Sequence, residues 1–160
     1  MTSSFDKFQS IVRRAKLYTA KEVPQSDVEL HPFDERNIHP EIAEVSKRLF
    51  DDGHYSQATF EAFKFLDKQV SKLSKIKASG FKLMMQAFNE SSPSIKLTSL
   101  SDTSQIDEQK GYSFLFAGSV LAIRNPRGHE VGNLDSIDVC LDHLGLASLL
   151  VRRLGNRHFP

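Results

Sequence analysis

Apolar residues recur at three- and four-residue steps along most of the chain, which is the spacing of helices that bury one face. Near the N-terminus this spacing predicts a helix with the apolar positions Phe5, Phe8, Ile11, Val12 and Ala15. Residues 23–37 contain two prolines and lack such spacing, so we interpret them as a linker.

Three helices are predicted in the middle of the chain. The first begins near Pro40, which suits a first helical turn, and stops at Gly53. The second starts after a possible cap at Ser56. Its charges at helical spacing are expected to face solvent, and they are Lys64, Asp67, Lys68, Lys72 and Lys75. The third is short and covers residues 81–88.

A fifth helix is predicted over residues 105–125, and its segment 112–123 is apolar nearly all round. A helix of this kind is buried on several sides, either by its own domain or by a partner subunit. The sequence therefore predicts an all-α fold, a compact bundle of five or six helices.

Two other segments have clear patterns. Residues 95–100 alternate like a strand, but a lone strand has nothing to pair with, so we expect an extended loop. A flap or a ribbon at a dimer contact is the alternative. Asp135 is a possible cap for a last helix that ends at Gly155.

Composition bounds the protein class. The 160 residues fit one domain with an appendage, and Cys140 is the only cysteine, which excludes an internal disulfide framework. The first ten residues lack the apolar core of a signal peptide, and no apolar run is long enough for a bilayer. We expect a soluble, cytoplasmic protein with no membrane contact. A net charge of +1 argues against a dominant polyphosphate-binding surface but not against a local basic cleft.

Several familiar sites do not occur in the sequence. It has no glycine-rich phosphate loop, zinc-binding helix or nucleophile elbow, and we predict no metal and no cofactor. His31 and His39 belong to the linker region and are expected to be exposed. His54 follows a helix-ending glycine, where capping or packing is expected ahead of catalysis, and His143 lies beside an apolar stripe and is expected to be structural.

The remaining candidate is the segment Arg124-Asn125-Pro126-Arg127-Gly128-His129. Arg124 is the first charge after the apolar run, so a buried helix ends in a guanidinium that needs an anionic partner. Pro126 and Gly128 predict a turn that folds His129 back beside Arg124. Without that turn, a five-residue offset on a helix would separate the two by about 140°.

These residue types suit chemistry on a phosphodiester. His129 is the candidate for proton transfer, Arg124 for stabilising charge on the phosphoryl oxygens, and Asn125 for orienting the nucleophile or the phosphate. The candidate substrate-binding residues are Arg127, Lys64 and His54. In the alternative interpretation, Arg124 only ties helices together through an internal salt bridge to Glu61, Glu108 or Glu130.

Blocks of residues through the main domain form an ordered set. They are His39-Pro40, Leu49-Phe50-Asp51-Asp52-Gly53-His54-Tyr55, Glu61-Ala62-Phe63-Lys64, Leu83-Met84, Asp107-Glu108-Gln109, Phe114-Leu115-Phe116-Ala117-Gly118, residues 123–130 and Arg152-Arg153-Leu154. Through them the chain resembles the Ymh-type family of small prokaryotic proteins over about residues 37–155. The resemblance implies a helix-and-linker extension, residues 1–36, before a domain of residues 37–160.

That family is similar to a branch of the HEPN superfamily, compact helical bundles that often act as metal-independent RNases in phage defence, abortive infection and toxin–antitoxin systems. Their motif, an arginine followed by a polar residue and a histidine four to six positions after the arginine, matches Arg124, Asn125 and His129. The resemblance implies a homodimer whose two motifs form one composite RNA-cleaving site, with a possible antitoxin or defence protein as a further partner. The alternatives are a non-catalytic dimer that binds nucleic acid, a nucleotide or a protein through the same cleft, and a pure interaction module.

Overall fold

The computed structural model describes residues 5, 8–9, 11–12, 30–129 and 135–158, except for the side chain of residue 129. Regular structure in this part of the chain is entirely helical, which confirms the all-α prediction. The α-helices are α1 (Pro32–Glu35), α2 (Pro40–Asp51), α3 (Tyr55–Ser74), α4 (Gly80–Ala87), α5 (Thr103–Ser119), α6 (Asn125–His129) and α7 (Ile137–Gly155). A π-helical turn, Val120–Arg124, joins α5 to α6. None of the described helices is long and apolar enough to cross a membrane.

The chain divides into two compact units, residues 1–30 and residues 31–160. In the first unit the described residues 5, 8–9 and 11–12 are helical, as predicted, and the large apolar side chains among them are exposed: Phe5, Phe8, Ile11 and Val12. Ala15, the last position predicted for that apolar face, lies outside the described residues.

Two His-Pro pairs start the first helices of the second unit. His31 and His39 each accept, through Nδ1, the backbone N–H two residues further on, at 3.1 and 3.3 Å. A proline follows each histidine at the first helical position, where its fixed φ and missing N–H are compatible with a helix. The linker prediction is therefore wrong for α1, and both histidines are caps rather than exposed side chains. His31 also lies 2.7 Å from Asp51 through Nε2.

The core is built around α3, whose side chains Phe63, Leu66 and Val70 are fully buried. This helix packs against α2, α4, α7 and the π-helical turn. It begins one residue before Ser56, so the predicted cap is wrong, and the Ser56 hydroxyl instead accepts the backbone N–H of Asp135 at 2.8 Å.

Asp67 also departs from its predicted place on the solvated face of α3. The side chain is buried, and its Oδ1 accepts the backbone N–H of Gly80 at 2.6 Å. Gly80 has a φ of +66°, which favours glycine, and it begins α4. The buried carboxylate therefore fixes the start of α4 against α3.

Residues 95–100 form a loop, as predicted, and the loop is tied to α5 by Gln109. This fully buried amide donates to the carbonyls of Phe88 and Ile95 at 3.0 Å each. It accepts the backbone N–H of Leu97 at 2.8 Å. The alternation in the sequence arises because Ile95 and Leu97 are buried while Lys96 is exposed.

Helix α5 carries apolar side chains on both its buried and its exposed face, and Phe116 and Ala117 are buried. The buried face also includes the polar side chains of Gln109, Ser113 and Ser119, whereas Phe114 and Leu115 are 55% and 47% exposed. Leu121 in the following π-helical turn is 54% exposed. The domain itself therefore does not cover this helix on all sides. The expectation that the helix is buried by its own domain is wrong, and the alternative, burial by a partner subunit, stays a prediction.

The predicted break at Pro126 does not occur. Asn125 has helical angles, φ −62° and ψ −45°, and its N–H bonds to the Val120 carbonyl five residues back. Pro126 and Gly128 then lie inside α6. A π-helical turn widens the helix just before the proline, which is a common way for a helix to change its hydrogen-bonding pattern locally.

Helix α7 follows the prediction except at its cap. The Ser136 hydroxyl, not Asp135, accepts the N–H of Val139 at 3.3 Å. The helix ends at Gly155, and its buried side chains include Leu144, Leu150 and Leu154.

Candidate functional site

Arg124 is the last residue of the π-helical turn and is half-buried. Its Nε is buried and has no hydrogen-bond partner, and among the described residues no carboxylate forms an ion pair with it. Two of the carboxylates predicted to pair with it bind elsewhere: Glu61 to Lys64 at 2.9 Å and Glu108 to Arg153 at 2.7 Å. Glu130 lies outside the described residues.

The Arg124 guanidinium contacts the ring of Phe60 on α3. Arg124 Cζ lies 5.7 Å from the ring centroid, and Lys64 Nζ lies 5.6 Å from the same centroid. Cations within about 6 Å of an aromatic ring are attracted by its quadrupole. The structure therefore brings Lys64, a predicted substrate-binding residue, to the same ring as Arg124.

Helix α6 approaches this ring through Gly128. A Cβ at position 128 would lie 2.8 Å from Phe60 Cε2, closer than non-bonded atoms can approach. The glycine is thus needed for close packing, whereas its predicted use was a loosened turn. Phe60 has no distinguishing pattern in the sequence, and sequence reasoning missed it.

The start of α4 lies on another side of Arg124. A Cβ on Gly80 would be 3.9 Å from Arg124 Nη1. The carboxylate that accepts the Gly80 N–H, that of Asp67, forms no ion pair with Arg124. The Asp67 carboxylate thus already lies at the positive end of the α4 dipole.

Asn125 and His129 share α6. Asn125 is half-buried directly after Arg124, and His129 is the final residue of the helix, with its side chain outside the described part. Because the predicted turn is a helix, positions 124 and 129 are about 140° apart around its axis. One chain therefore does not bring the predicted catalytic pair onto one helix face.

Arg127 has a structural partner. It forms a two-point pair with Asp135, Nε to Oδ2 at 2.6 Å and Nη2 to Oδ1 at 2.5 Å, and Nη1 donates to the Ile123 carbonyl at 2.8 Å. The two charged side chains are 10% and 8% exposed. This geometry ties α6 to the start of α7 and does not direct Arg127 to an external phosphate.

His143 and Cys140 on α7 lie close to this ion pair. Burial lowers the pKa of His143, with the Arg127 charge adding to the effect and the Asp135 charge opposing it. Burial raises the pKa of the Cys140 thiol, which receives a hydrogen bond from Thr59. A neutral histidine and a protonated thiol fit the structural role expected for His143 and an unreactive Cys140.

His54 lies in a different place from Arg124. It precedes α3 without forming a side-chain cap. It is exposed in a cleft of about 370 Å³ whose described lining is Gly53, His54, Tyr55, Ser56, Gln57 and Asp135. Among the predicted substrate-binding residues, only Lys64 contacts the aromatic ring that Arg124 contacts.

Within the described residues, no three His, Cys, Asp or Glu side chains are grouped as metal ligands would be.

Comparison with known families places the chain. Residues 36–154 match the family described as "Protein of unknown function (Hypoth_ymh)", so the chain belongs to that family. No curated protein and no solved structure matches the chain.

Proposed function

We propose that this Hypoth_ymh family member is a metal-independent endoribonuclease of the HEPN type that acts in the cytoplasm, in defence or in toxin-type growth control. The observation that carries the proposal is the half-buried Arg124 guanidinium without an anionic partner among the described residues. Arginine binds phosphate through charge-assisted, two-point hydrogen bonds, so an RNA phosphate would satisfy it.

The catalytic site would be shared by two copies of the chain. Positions 124 and 129 point apart on one helix, so a histidine from a second copy is the better partner for Arg124. The exposed apolar side chains Phe114, Leu115 and Leu121 precede Arg124 on the same helical rod and supply a surface that a symmetric partner would cover.

The proposed reaction is an internal transesterification. His129 of one copy accepts the proton of a ribose 2′-OH, and the 2′-oxygen forms a bond to the adjacent phosphorus. The bond from phosphorus to the 5′-oxygen breaks, and this oxygen takes a proton from the second His129. Arg124 stabilises the added charge on the phosphoryl oxygens while Asn125 orients the phosphate. The products carry a 2′,3′-cyclic phosphate and a 5′-OH.

The test is to incubate the purified protein with RNA in EDTA. Wild type should cleave, whereas Arg124→Ala and His129→Ala should lose at least about 100-fold in rate, the usual contribution of a charge-stabilising or proton-transfer group. Arg48→Ala is the matched control, because the Arg48 side chain is 95% exposed. Equal cleavage by all four proteins, or cleavage that requires added metal, would contradict the mechanism.

A second candidate is a non-catalytic module that binds RNA or another phosphate-containing partner at the same site. It needs only Arg124 and not a histidine on the same face, so the helical path of α6 is no obstacle to it. It predicts salt-dependent binding that weakens in Arg124→Ala, with no product in any protein.

A further inference from the structure

We propose that Phe60 is a positioning residue of this site: its ring, which also contacts the Lys64 ammonium, holds the Arg124 guanidinium ready to receive a backbone phosphate. The identity of the anion rests on the proposed function. The positioning itself concerns only contacts within the protein.

Arg124 needs such a contact because no carboxylate among the described residues restrains it. A free arginine side chain has many rotamers, and a ligand that binds it must restrict them. The Phe60 ring, 5.7 Å from Arg124 Cζ, limits this freedom without occupying the hydrogen-bond donors of the guanidinium.

The ring is itself held from two sides. Gly128, one helical turn after Arg124, lies so close that a Cβ there would be 2.8 Å from the ring. Lys64, one turn along α3 from Phe60, lies 5.6 Å from the ring centroid and is restrained by its ion pair with Glu61. The Phe60 ring thus contacts Lys64 on its own helix and both Arg124 and Gly128 on the facing helical segment. The close approach of Gly128 fixes the position of the ring.

Two substitutions distinguish the effect of the aromatic ring of Phe60 from the effect of its size. Phe60→Leu keeps an apolar side chain of similar size but removes the π system, so it should release Arg124 and Lys64. Phe60→Tyr keeps the ring and should preserve the arrangement. A role in packing alone would be served by leucine nearly as well as by tyrosine.

The first measurement is the Nε–H resonance of Arg124 in a ¹⁵N–¹H spectrum of the full chain. Arg124→Lys assigns the resonance by removing it, and the burial of Nε protects its proton from exchange. We expect Phe60→Leu to abolish the ring-current shift and Phe60→Tyr to retain it. Gly128→Ala, which forces the ring to move, should shift the resonance even if Phe60→Leu fails to fold. An unchanged resonance in Phe60→Leu or Gly128→Ala would overturn the positioning role.

The second measurement is binding of a 2′-O-methyl RNA oligonucleotide, which lacks the 2′-OH needed for cleavage. Phe60→Leu should bind about five- to tenfold more weakly than wild type, as expected for the loss of cation–π contacts, and Phe60→Tyr within about twofold. Equal binding by Phe60→Leu and wild type would contradict the inference. If the resonance moves as expected but wild type binds no RNA, the proposed function fails and only the contact between the ring and Arg124 stands.

Discussion

Arg124 and Arg127 lie three residues apart in one segment, yet the fold treats them in opposite ways. Arg127 is almost fully buried and bonded at two points to Asp135, whereas Arg124 keeps a buried Nε without a partner and rests on an aromatic ring. A buried guanidinium with a matched carboxylate is a structural element, and one without a carboxylate is a candidate for binding an external anion. The internal salt bridge considered for Arg124 thus exists at Arg127.

The largest expected difference between the two arginines is in stability. Arg127→Ala leaves the Asp135 carboxylate buried and unpaired, so the free energy of unfolding should fall by about 3–5 kcal/mol. Arg124→Ala breaks no ion pair among the described residues and should change it by about 1 kcal/mol or less. Urea denaturation of both variants measures this, and equal losses would erase the distinction.

A smaller effect is expected from Gly128, the glycine that packs against the Phe60 ring. Gly128→Ala places a Cβ against Phe60 and should destabilise the protein by about 1–3 kcal/mol through overpacking. The matched control is Gly145→Ala on α7, where a Cβ meets nothing within 4 Å and alanine should stabilise the helix by about 0.5–1 kcal/mol. Thermal unfolding compares the two, and a gain in stability for Gly128→Ala would contradict the close approach.

Of the two arginines Arg124 and Arg127, only Arg124 should contribute to anion binding. Inorganic phosphate at about ten times its dissociation constant should stabilise wild type by about 1.4 kcal/mol. This stabilisation should vanish in Arg124→Ala. It should persist in Arg36→Ala, which removes a half-exposed arginine that is paired with Asp142 elsewhere. Thermal shift over a phosphate series, at constant ionic strength, measures it, and an unchanged shift in Arg124→Ala would place the anion elsewhere.

The smallest effect concerns pH at the Arg127 pair. Burial lowers the pKa of His143 below its usual 6.5, and the charges facing it are Arg127, Asp135 and Asp142. The unfolded chain therefore binds a proton at higher pH than the folded chain does. The His143 contribution to stability is complete above pH 6.5 and declines as pH falls from 6.5 through the lowered pKa. Denaturation of wild type and His143→Gln between pH 5 and 8 tests this, because the variant should lose that part of the dependence.

Much of the helical scaffold could be predicted because it follows local rules. Pro40, Gly53 and Gly155 mark helix limits through backbone preferences that need no tertiary information. The predictions for Ser56, Asp67 and Pro126 failed because each depends on a distant contact or on the hydrogen-bond pattern of the preceding turn. Asp67, for example, is an ordinary surface charge by pattern and becomes buried because it bonds to the start of α4.

The sequence by itself determined that the chain is helical and that an apolar helix ends in Arg124, since periodicity and the position of a charge are local properties. Only the tertiary structure decided which arginine is paired. Asp135 reaches Arg127 because α7 packs against α3 and places the carboxylate beside α6, while the ring of Phe60 takes the corresponding position at Arg124. A guanidinium pairs with whatever the fold brings within hydrogen-bond distance, and the order of residues along the chain does not specify that neighbour.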